Sequence, residues 1–406
     1  MSGSSWIEIP DGSDFPIENL PYGAFRRDGA THLGVAIGDR ILDLHVACES
    51  GLFEGVCARE MLQAGSLNPL LAAGKDVWRA LRARLHALLR KDGDPALREL
   101  DASRLFADQS AAEMLVPVQI GDYVDFYSSE QHATNLGRIF RPNAEPLLPN
   151  WKWMPIGYHG RAGSIVVDGT PIRRPRGQRK PPDSDAPIFA PSAMLDIELE
   201  IGFFTGSNRE IFGLVLLNDW SARDIQAWEY QPLGPFLGKS FGTTISPWVV
   251  TFEALAPFRV SPLPQNPPPL PHLRVENDTA YDIALAVDIQ TEAMRAAGAP
   301  PLTISRTNAR ELYWSMAQQL AHATSNGAAA RPGDLFASGT ISGSDPASYG
   351  SLIEMTWRGT KPLALPGGEN RAFLEDGDEI ALRGWCERPG LRIGFGACRG
   401  RIVAAD

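Results

Sequence analysis

The sequence predicts a mainly β fold of the α+β class, with a small N-terminal barrel domain followed by a larger β-rich domain. Glycine and proline contribute 39 and 33 of the 406 residues, which is typical of short strands joined by many turns. Short apolar runs separated by Gly and Pro turns fill residues 1–60, and strand patterns dominate again from residue 119 onward. A chain of this length is expected to form two domains.

The first domain is predicted to combine short strands with one clear helix. Strands are predicted at Gly34–Gly38 and Ile41–Leu44. Residues 76–92 change to helical spacing, with Leu81 and Leu85 on the apolar stripe. The pattern changes again within residues 111–118, so we divide the chain into residues 1–117 and residues 118–406.

Two helices are predicted within the β-rich second domain. The longer one is expected to begin at Asn308, where Glu311 completes a capping-box spacing, and to end at Asn326-Gly327. A shorter helix is expected over Ser221–Glu229.

Composition and charge exclude several classes of protein. The net charge of −10 argues against binding to a nucleic-acid backbone. The chain has four cysteines and no C-x-x-C pair, so neither a disulfide framework nor a thiolate zinc site is expected. No apolar run approaches the roughly 18 residues of a membrane span. We therefore expect a cytoplasmic protein that binds neither nucleic acid nor membrane.

Three acidic residues alternate with aliphatic residues in the segment Leu195–Ile201. This pattern predicts a strand with Asp196, Glu198 and Glu200 on one face. One interpretation is a half-exposed strand with a polar outer face. The other is a cation site, because two unit charges about 4 Å apart repel by about 4 kcal/mol at an effective dielectric near 20. Both interpretations remain open at this point.

Two more acids lie in apolar surroundings. Asp219 follows the apolar run 214–217, where it is either a ligand or catalytic group at a strand end or the N-cap of the next helix. Asp125 lies in an aromatic-rich strand, where a charge needs a partner or a metal. A site built from these carboxylates offers only oxygen ligands, which suits Ca²⁺ or Mg²⁺ rather than Zn²⁺.

His132 has the most polar surroundings of the seven histidines, with Arg138 and Arg141 close behind it. A lone histidine is more often a hydrogen-bonded structural residue than a general base. Its nearness to Asp125 and Arg141 strengthens the catalytic interpretation without making it the favoured one. The Gly-bracketed loop Ser338–Gly343 can present backbone N–H groups to an anion.

Long motifs in a fixed order give these segments a resemblance to a known family. They are Asp122–Ser129, Gln131–Asn135, Leu147–Trp151, Gly157–Arg161, Glu198–Glu200, Asn218–Gln226, Gly234–Thr243 and Gly339–Gly343. Together they resemble the fumarylacetoacetate hydrolase family, closely over residues 115–400 and more loosely before them. So many ordered matches are more specific than any one short motif.

The resemblance implies an SH3-like barrel followed by a catalytic roll of mixed sheets, in a homodimer. It also implies hydrolysis of the carbon–carbon bond of a diketo acid, fumarylacetoacetate, to fumarate and acetoacetate, the last step of tyrosine and phenylalanine degradation. The alternatives are a related acylpyruvate hydrolase, oxaloacetate decarboxylase or dienoate isomerase on the same scaffold. A non-catalytic binding module is expected to lose His132 or Glu354, and this chain has both.

The resemblance also implies a role for each matching residue. The expected ligands of Ca²⁺ or Mg²⁺ are Asp125, Glu198, Glu200 and Asp219. A second cation, Mg²⁺ or monovalent, is expected at Asp219 beside Lys239 and Thr243. His132 is expected to activate water, oriented by Glu354. The expected oxyanion donors are Arg223, Gln226 and Lys239. The expected substrate-binding residues are Tyr127, Arg141, Tyr158, Gln226, Tyr230 and Thr340.

Overall fold

The computed structural model describes residues 4–406, so the first three residues of the predicted N-terminal domain lie outside the described part. Between residues 4 and 117 the strands are β1 Tyr22–Arg27, β2 Ala30–Ile37, β3 Arg40–Asp43, β4 Phe106–Asp108 and β5 Met114–Leu115. The helices of this region are α1 Leu44–Glu49, α2 Arg59–Leu62, α3 Asn68–Ala73, α4 Lys75–Leu89 and α5 Ala102–Leu105. The five strands form one antiparallel sheet in the order β4-β3-β2-β1-β5.

The remaining residues form further sheets with short helices between the strands. The strands are β6 Tyr123–Phe126, β7 Gly157–His159, β8 Ile165–Val167, β9 Ile172–Arg173, β10 Arg176–Arg179, β11 Ile188–Pro191, β12 Leu195–Asp196, β13 Leu199–Thr205, β14 Ile211–Asp219, β15 Ser221–Ala222, β16 Thr243–Ile245, β17 Val250–Thr251, β18 Arg259–Val260, β19 Ala280–Tyr281, β20 Ala284–Gln290, β21 Leu302–Asn308, β22 Leu335–Ala337, β23 Leu363–Ala364, β24 Asn370–Arg371, β25 Glu379–Arg388 and β26 Leu391–Val403. The helices are α6 Glu130–Phe140, α7 Arg223–Glu229, α8 Phe252–Leu255, α9 Glu292–Ala296, α10 Met316–Ala323 and α11 Leu352–Met355.

Two mixed sheets dominate this second part. The larger has the order β7-β6-β22-β13-β14-β16-β8, with β17 also paired to β14. Its β6–β22 and β16–β8 pairs are parallel, and its other pairs are antiparallel. The second sheet has the order β21-β20-β25-β26-β9. Mixed sheets with few helices confirm the predicted mainly β, α+β fold class.

Strand β14 explains how the two parts of the chain share their core. Leu214 and Leu216 point into the main core of the second part, whereas Val215 and Leu217 join the core that contains the N-terminal helices and strands. The strand is therefore covered on both faces, as its nearly continuous apolar sequence requires. Its last residue, Asp219, is fixed at the end of this rigid element.

The prediction of helix α4 is confirmed in its start and in the buried positions Leu81 and Leu85, but the helix ends three residues before the predicted residue 92. The helix ends at Leu89, and its buried face includes Trp78, Leu81 and Leu85. Among the helices within residues 4–406, none combines the length and the apolar character needed to cross a membrane.

The predicted start of the helix after Asn308 is wrong. Asn308 ends β21 and caps a single 3₁₀ turn, and α10 begins only at Met316. Ser315 and Gln318 form a complete capping box, in which each side chain bonds the backbone N–H of the other residue. This reciprocal pair satisfies two helix-end donors and determines the start of the helix. The helix also ends earlier than predicted, at Ala323.

Helix α7 begins at Arg223, two residues later than the predicted start at Ser221. Ser221 and Ala222 instead form β15, which pairs with β12. This small pairing places Arg223 on the first turn of the helix, close to Asp196 of β12.

Candidate active site

The acidic segment 195–201 is two strands rather than one. Asp196 belongs to β12, Glu198 lies at the break, and Glu200 belongs to β13. All three side chains are buried, so the interpretation as a half-exposed strand is wrong. Asp196 does not belong to the group of carboxylates that converges around Glu198 and Glu200. It accepts hydrogen bonds from Arg223 Nε at 2.7 Å and from the backbone N–H of Leu352 at 2.7 Å.

Glu198 and Glu200 converge with two further carboxylates at the centre of the larger sheet. Asp125, Glu198, Glu200 and Asp219 each offer one oxygen, and these atoms lie within 4.8 Å of one another. Strand pairing brings them together, because β22 lies between β6 and β13, and β14 lies beside β13. We call these four residues the carboxylate cluster. Buried carboxylates this close need positive charge between or beside them.

Two cations contact the cluster from α7 and the segment that follows it. Lys239 Nζ donates hydrogen bonds to Glu198 and, at 2.7 Å, to Asp219 Oδ2. Arg223 Nη1 lies 2.8 Å from Glu198 Oε1. Burial lowers the pKa of Lys239, but Asp219 and Glu198 raise it more, so the net shift is upward and the side chain is a charged ammonium.

A third cation, Arg161, reaches the cluster from the loop after β7. Its Nη2 atom donates to Asp125 Oδ2 at 2.9 Å and to Asp219 Oδ2 at 2.8 Å. Its guanidinium carbon lies 4.6 Å from the ring centroids of both Tyr123 and Tyr158. This geometry combines two charge-assisted hydrogen bonds with cation–π contacts.

The surrounding charges divide the four carboxylates into two classes. Burial and the neighbouring charge of Asp219 raise the pKa of Asp125 to about 7. Burial, Asp125 and Glu198 raise the pKa of Glu200 well above its ordinary value. Burial also raises the pKa of Glu198 and Asp219, but the adjoining cations lower it more, and the net shift is downward. Asp125 and Glu200 are thus the carboxylates that still lack positive charge.

The hydrogen bonds of these two residues identify the same deficit atom by atom. Asp125 Oδ1 and Glu200 Oε1 are buried, and neither accepts a hydrogen bond from any group within residues 4–406. The second oxygen of Glu200 accepts from the backbone N–H of Gly339 at 3.0 Å. Buried carboxylate oxygens without donors fit a hard, oxygen-preferring cation such as Ca²⁺ or Mg²⁺.

His132 is held beside the cluster by α6 and by Glu354 of α11. Ser129 caps α6 by accepting from the backbone N–H of His132. His132 Nδ1 lies 2.7 Å from Glu354 Oε2. Burial raises the pKa of Glu354, but the charge and hydrogen bond of His132 lower it more, so the net shift is downward.

Glu354 also accepts hydrogen bonds from Asn135 Nδ2 at 2.9 Å, Ser342 Oγ at 2.9 Å and Ser351 Oγ at 2.7 Å. An ionised carboxylate is a pure acceptor, so His132 Nδ1 must carry the proton toward Glu354. When the ring is neutral, Nε2 is therefore the nitrogen with the lone pair, which is the arrangement of an oriented general base.

A cavity of about 250 Å³ joins the base to the cluster. The predicted site residues that line it are Asp125, Tyr127, His132, Arg141, Tyr158, Glu198, Arg223, Gln226, Tyr230, Lys239 and Thr340. The remaining predicted residues lie behind this lining: Glu200 and Asp219 within the cluster, Thr243 donating to Asp219 Oδ1 at 2.8 Å, and Glu354 behind His132.

The cavity wall also carries buried donors in need of acceptors. Arg141 Nε, Arg223 Nη2 and the hydroxyl of Thr340 are buried without a hydrogen-bond partner in the described part of the chain. Unpartnered donors and unpartnered carboxylate oxygens therefore occur around the same cavity. A cation would complete the carboxylate oxygens, and a ligand with several oxygens would accept from the donors.

Some residues of this arrangement had no predicted role. Arg161 lies in a motif that carried the family resemblance, as do Asn135 and Ser342, yet none was assigned a contact. Arg161 adopts the left-handed backbone conformation, with φ of 62°, directly after Gly160 with φ of 117°. Such a pair at a buried charge is a signal of a fixed functional geometry.

Comparison with known proteins assigns both parts of the chain to one family. The fumarylacetoacetase N-terminal model matches residues 18–117, and the fumarylacetoacetate (FAA) hydrolase C-terminal model matches residues 123–403. The chain is 48% identical to human fumarylacetoacetase over 424 aligned positions that cover 99% of each chain. It is 49% identical to the fumarylacetoacetase of Caenorhabditis elegans, at 99% coverage of each chain. It is also 48% identical to that of Arabidopsis thaliana, at 98% coverage of each.

Solved structures support the fold independently. A fumarylacetoacetate hydrolase from psychrophilic Exiguobacterium antarcticum superposes with a TM-score of 0.53 at 16% identity, covering 95% of this chain and 99% of that one. A putative HpcE protein from Mycobacterium smegmatis gives a TM-score of 0.51 at 20% identity, covering 94% and 99%. The two family models and the full-length relatives together show that the chain belongs to the fumarylacetoacetase family.

Proposed function

We propose that this chain hydrolyses the carbon–carbon bond of 4-fumarylacetoacetate, giving fumarate and acetoacetate at the end of tyrosine and phenylalanine degradation. The full-length relatives that carry the name fumarylacetoacetase support this proposal. The observation that carries it is the His132–Glu354 pair, which lies on the cavity that also receives the carboxylate cluster. A base and a cation site on one cavity suit hydrolysis of a diketone.

In the proposed reaction, His132 removes a proton from water through Nε2. Glu354 holds the ring by its Nδ1–H and stabilises the imidazolium that forms. The resulting hydroxide attacks a carbonyl carbon of the substrate, and the carbon–carbon bond then breaks. The acetoacetate part leaves as a carbon anion, which takes up the proton that His132 had removed from water. The balance is one water and one substrate converted to two acids.

The oxyanion formed by this attack needs donors that are already in place. Arg223 Nη2 is buried and has no acceptor within residues 4–406, so it can donate without first breaking another bond. Gln226 accepts from Arg223 Nη1 through Oε1 at 3.2 Å, which turns its amide N–H₂ away from that contact. Lys239 adds a positive charge on the same wall.

The rest of the cavity suits an unsaturated acid. Arg141 is fixed by a 2.8 Å hydrogen bond to the carbonyl of Pro146 and keeps a buried N–H for a substrate carboxylate. Tyr127, Tyr158 and Tyr230 supply ring surface and hydroxyl groups, and Thr340 supplies a second hydroxyl. We assign these residues to substrate binding.

We assign Asp125, Glu198, Glu200 and Asp219 to a Ca²⁺ or Mg²⁺ ion. When bound, such a cation would act as a Lewis acid that polarises the attacked carbonyl, and it would favour a β-diketone, which offers two oxygens to a hard cation. A second cation at Asp219, Thr243 and Lys239 remains a prediction. The ammonium of Lys239 donates to two carboxylates and has no lone pair, so only its backbone carbonyl can serve as a ligand there.

A homodimer in the cytoplasm completes the proposal. The segment 228–237 at the cavity mouth exposes large apolar side chains, among them Leu233 at 97% and Phe236 at 70%. Exposed apolar surface of this kind is typical of a protein–protein interface. Light scattering of the purified chain tests the dimer.

The activity is tested by following the loss of absorbance of fumarylacetoacetate with added Ca²⁺ or Mg²⁺, before and after exhaustive chelation. We expect cation-dependent turnover. Acylpyruvate and oxaloacetate, offered at equal concentration, test the alternative activities of the same scaffold. Faster turnover of either one would replace the proposed substrate, and full activity after chelation would remove the cation from the mechanism.

A further inference from the structure

Arg161 occupies a position that the proposed reaction does not use. Its side chain is 6% exposed, and its Nη2 atom bridges Asp125 and Asp219 at 2.9 and 2.8 Å. The rings of Tyr123 and Tyr158 both lie against the guanidinium, with centroids 4.6 Å from its central carbon. An arginine this deeply enclosed, beside a site for a cation, needs an explanation other than a surface ion pair.

The charges in direct contact with one another can be counted. The carboxylate cluster and Asp196 contribute five negative charges when ionised. The cations that touch them are Arg161, Arg223 and Lys239. We call these five carboxylates and three cations the buried assembly. Its net charge is −2, which one divalent cation would neutralise.

We propose that Arg161 is a positioning residue that sets the charge of this site, so that it matches a divalent cation and discriminates against a trivalent one. This inference rests on the proposed cation binding at the carboxylate cluster. Without Arg161 the assembly would carry three excess charges. A trivalent ion would then gain more than a divalent ion of similar size, because the Coulomb interaction scales with the charge of the ion.

Arg161 also selects which oxygens are available to the cation. It occupies Oδ2 of Asp125 and Oδ2 of Asp219, and Thr243 occupies the other oxygen of Asp219. Asp125 Oδ1 is left without a donor from the described residues. The ring of Tyr158 holds the guanidinium, and its hydroxyl donates to Asp125 Oδ2 at 2.8 Å. Each carboxylate is therefore presented in one orientation.

The test measures affinities for Ca²⁺ and Tb³⁺, two oxygen-preferring ions of similar size, by calorimetry and by Tb³⁺ luminescence sensitised by nearby tyrosines. We expect Arg161→Met to raise the ratio of Tb³⁺ affinity to Ca²⁺ affinity by about tenfold or more. Arg161→Lys keeps the charge and is expected to leave the ratio within about threefold of the parent protein. Arg399→Met removes an arginine that pairs with Asp168 outside the assembly, and it is the matched control with an unchanged ratio.

An unchanged ratio in folded Arg161→Met protein would overturn the proposal. Arg161→Gln is the second neutral variant if the methionine protein does not fold. Failure of both neutral variants to fold in saturating Tb³⁺ would also contradict the proposal, since a trivalent ion should replace the missing charge. If the parent protein itself binds neither ion, the proposed cation site fails, and that outcome is distinct from a failure of the role of Arg161.

Discussion

The two buried acid–base groups of this cavity differ in how completely their oxygens are bonded. Glu354 accepts from His132, Asn135, Ser342 and Ser351, so both of its oxygens have donors. In the carboxylate cluster, by contrast, Asp125 has one oxygen that no described residue bonds. Both groups are fully enclosed, so burial alone does not separate their functions.

The difference indicates what each group is built to do. A carboxylate with every lone pair directed at a fixed donor has a fixed orientation and transmits it to its partner, which suits an orienting group behind a base. A buried oxygen without a donor is costly unless something outside the chain completes it. The carboxylate cluster is therefore suited to binding a ligand, and the His132–Glu354 pair is suited to proton transfer in a fixed orientation.

The largest effect is expected when the proton acceptor is removed. His132→Ala should reduce kcat by about 10²–10⁴-fold, the usual contribution of a general base. Because His132 contacts Glu354 rather than the unbonded oxygens of the cluster, Ca²⁺ affinity should change little. Turnover is measured by substrate absorbance and Ca²⁺ binding by calorimetry.

The matched control for that variant is His159→Ala. His159 lies on β7 next to Tyr158, but its ring is exposed and pairs with Asp122. It should keep near-normal turnover. A folded His132→Ala protein with near-normal kcat would show that another group activates water.

A smaller loss is expected when only the orienting charge is removed. Glu354→Gln keeps the size of the side chain but takes away the counter-charge of the imidazolium and offers Nδ1 an amide. We expect kcat to fall by about a hundredfold, less than for loss of the base itself. Calorimetry should again show an unchanged Ca²⁺ affinity. The control is Glu379→Gln, which changes a half-buried glutamate that pairs with Arg401 outside the cavity lining. Equal losses of kcat and Ca²⁺ affinity would show that the His132–Glu354 pair and the carboxylate cluster do not have separate functions.

The parts of this site that follow a local pattern were predictable from the sequence, and the parts that depend on distant strands were not. The apolar stripe of Leu81 and Leu85 predicted α4, because helical spacing is local. The helix after β21 was placed too early, because Asn308 and Ser315 both fit a cap and only tertiary structure decides between them. Glu354 lies 222 residues from His132, and only the family resemblance paired the two.

Arg161 shows most clearly which contacts cannot be predicted from the sequence. Its contacts with Asp125 and Asp219 depend on β6 and β14, which are separated in the sheet by two other strands. No spacing rule within one segment predicts such a contact. The acidic character of the cluster was visible in the sequence, whereas the cations that reduce its charge came from α7, the following segment and the loop after β7.

Proton competition gives the next effect in size. Burial and the charge of Asp219 raise the pKa of Asp125 to about 7. Below that pH its carboxyl is protonated and does not bind a cation, whereas above it the carboxylate is free to do so. Ca²⁺ affinity should therefore increase with pH and fall by about tenfold per unit as pH drops below 7.

Calorimetry at pH 6 and pH 8, in buffers of different ionisation enthalpy, measures both the affinity and the protons released. At least one proton should leave on binding at pH 6. Affinity that does not change between these pH values would mean that Asp125 is already ionised before the cation binds. Glu354 should not change its protonation state between these pH values, because its pKa lies below its ordinary value.

The smallest effect tests whether the bonding of Glu354 matters beyond its pairing with His132. Asn135 donates to Glu354 Oε1 at 2.9 Å from the same helix that carries His132. Asn135→Ala leaves that oxygen without this buried donor, which should cost about 1–3 kcal/mol of stability. Because Oε2 keeps its bonds to Ser342 and Ser351, the ring should remain in place and kcat should fall only severalfold. Denaturant unfolding and kcat of the same preparation provide the two numbers. A loss of kcat as large as that of Glu354→Gln would mean that the orientation of the carboxylate, rather than its charge, is what His132 requires.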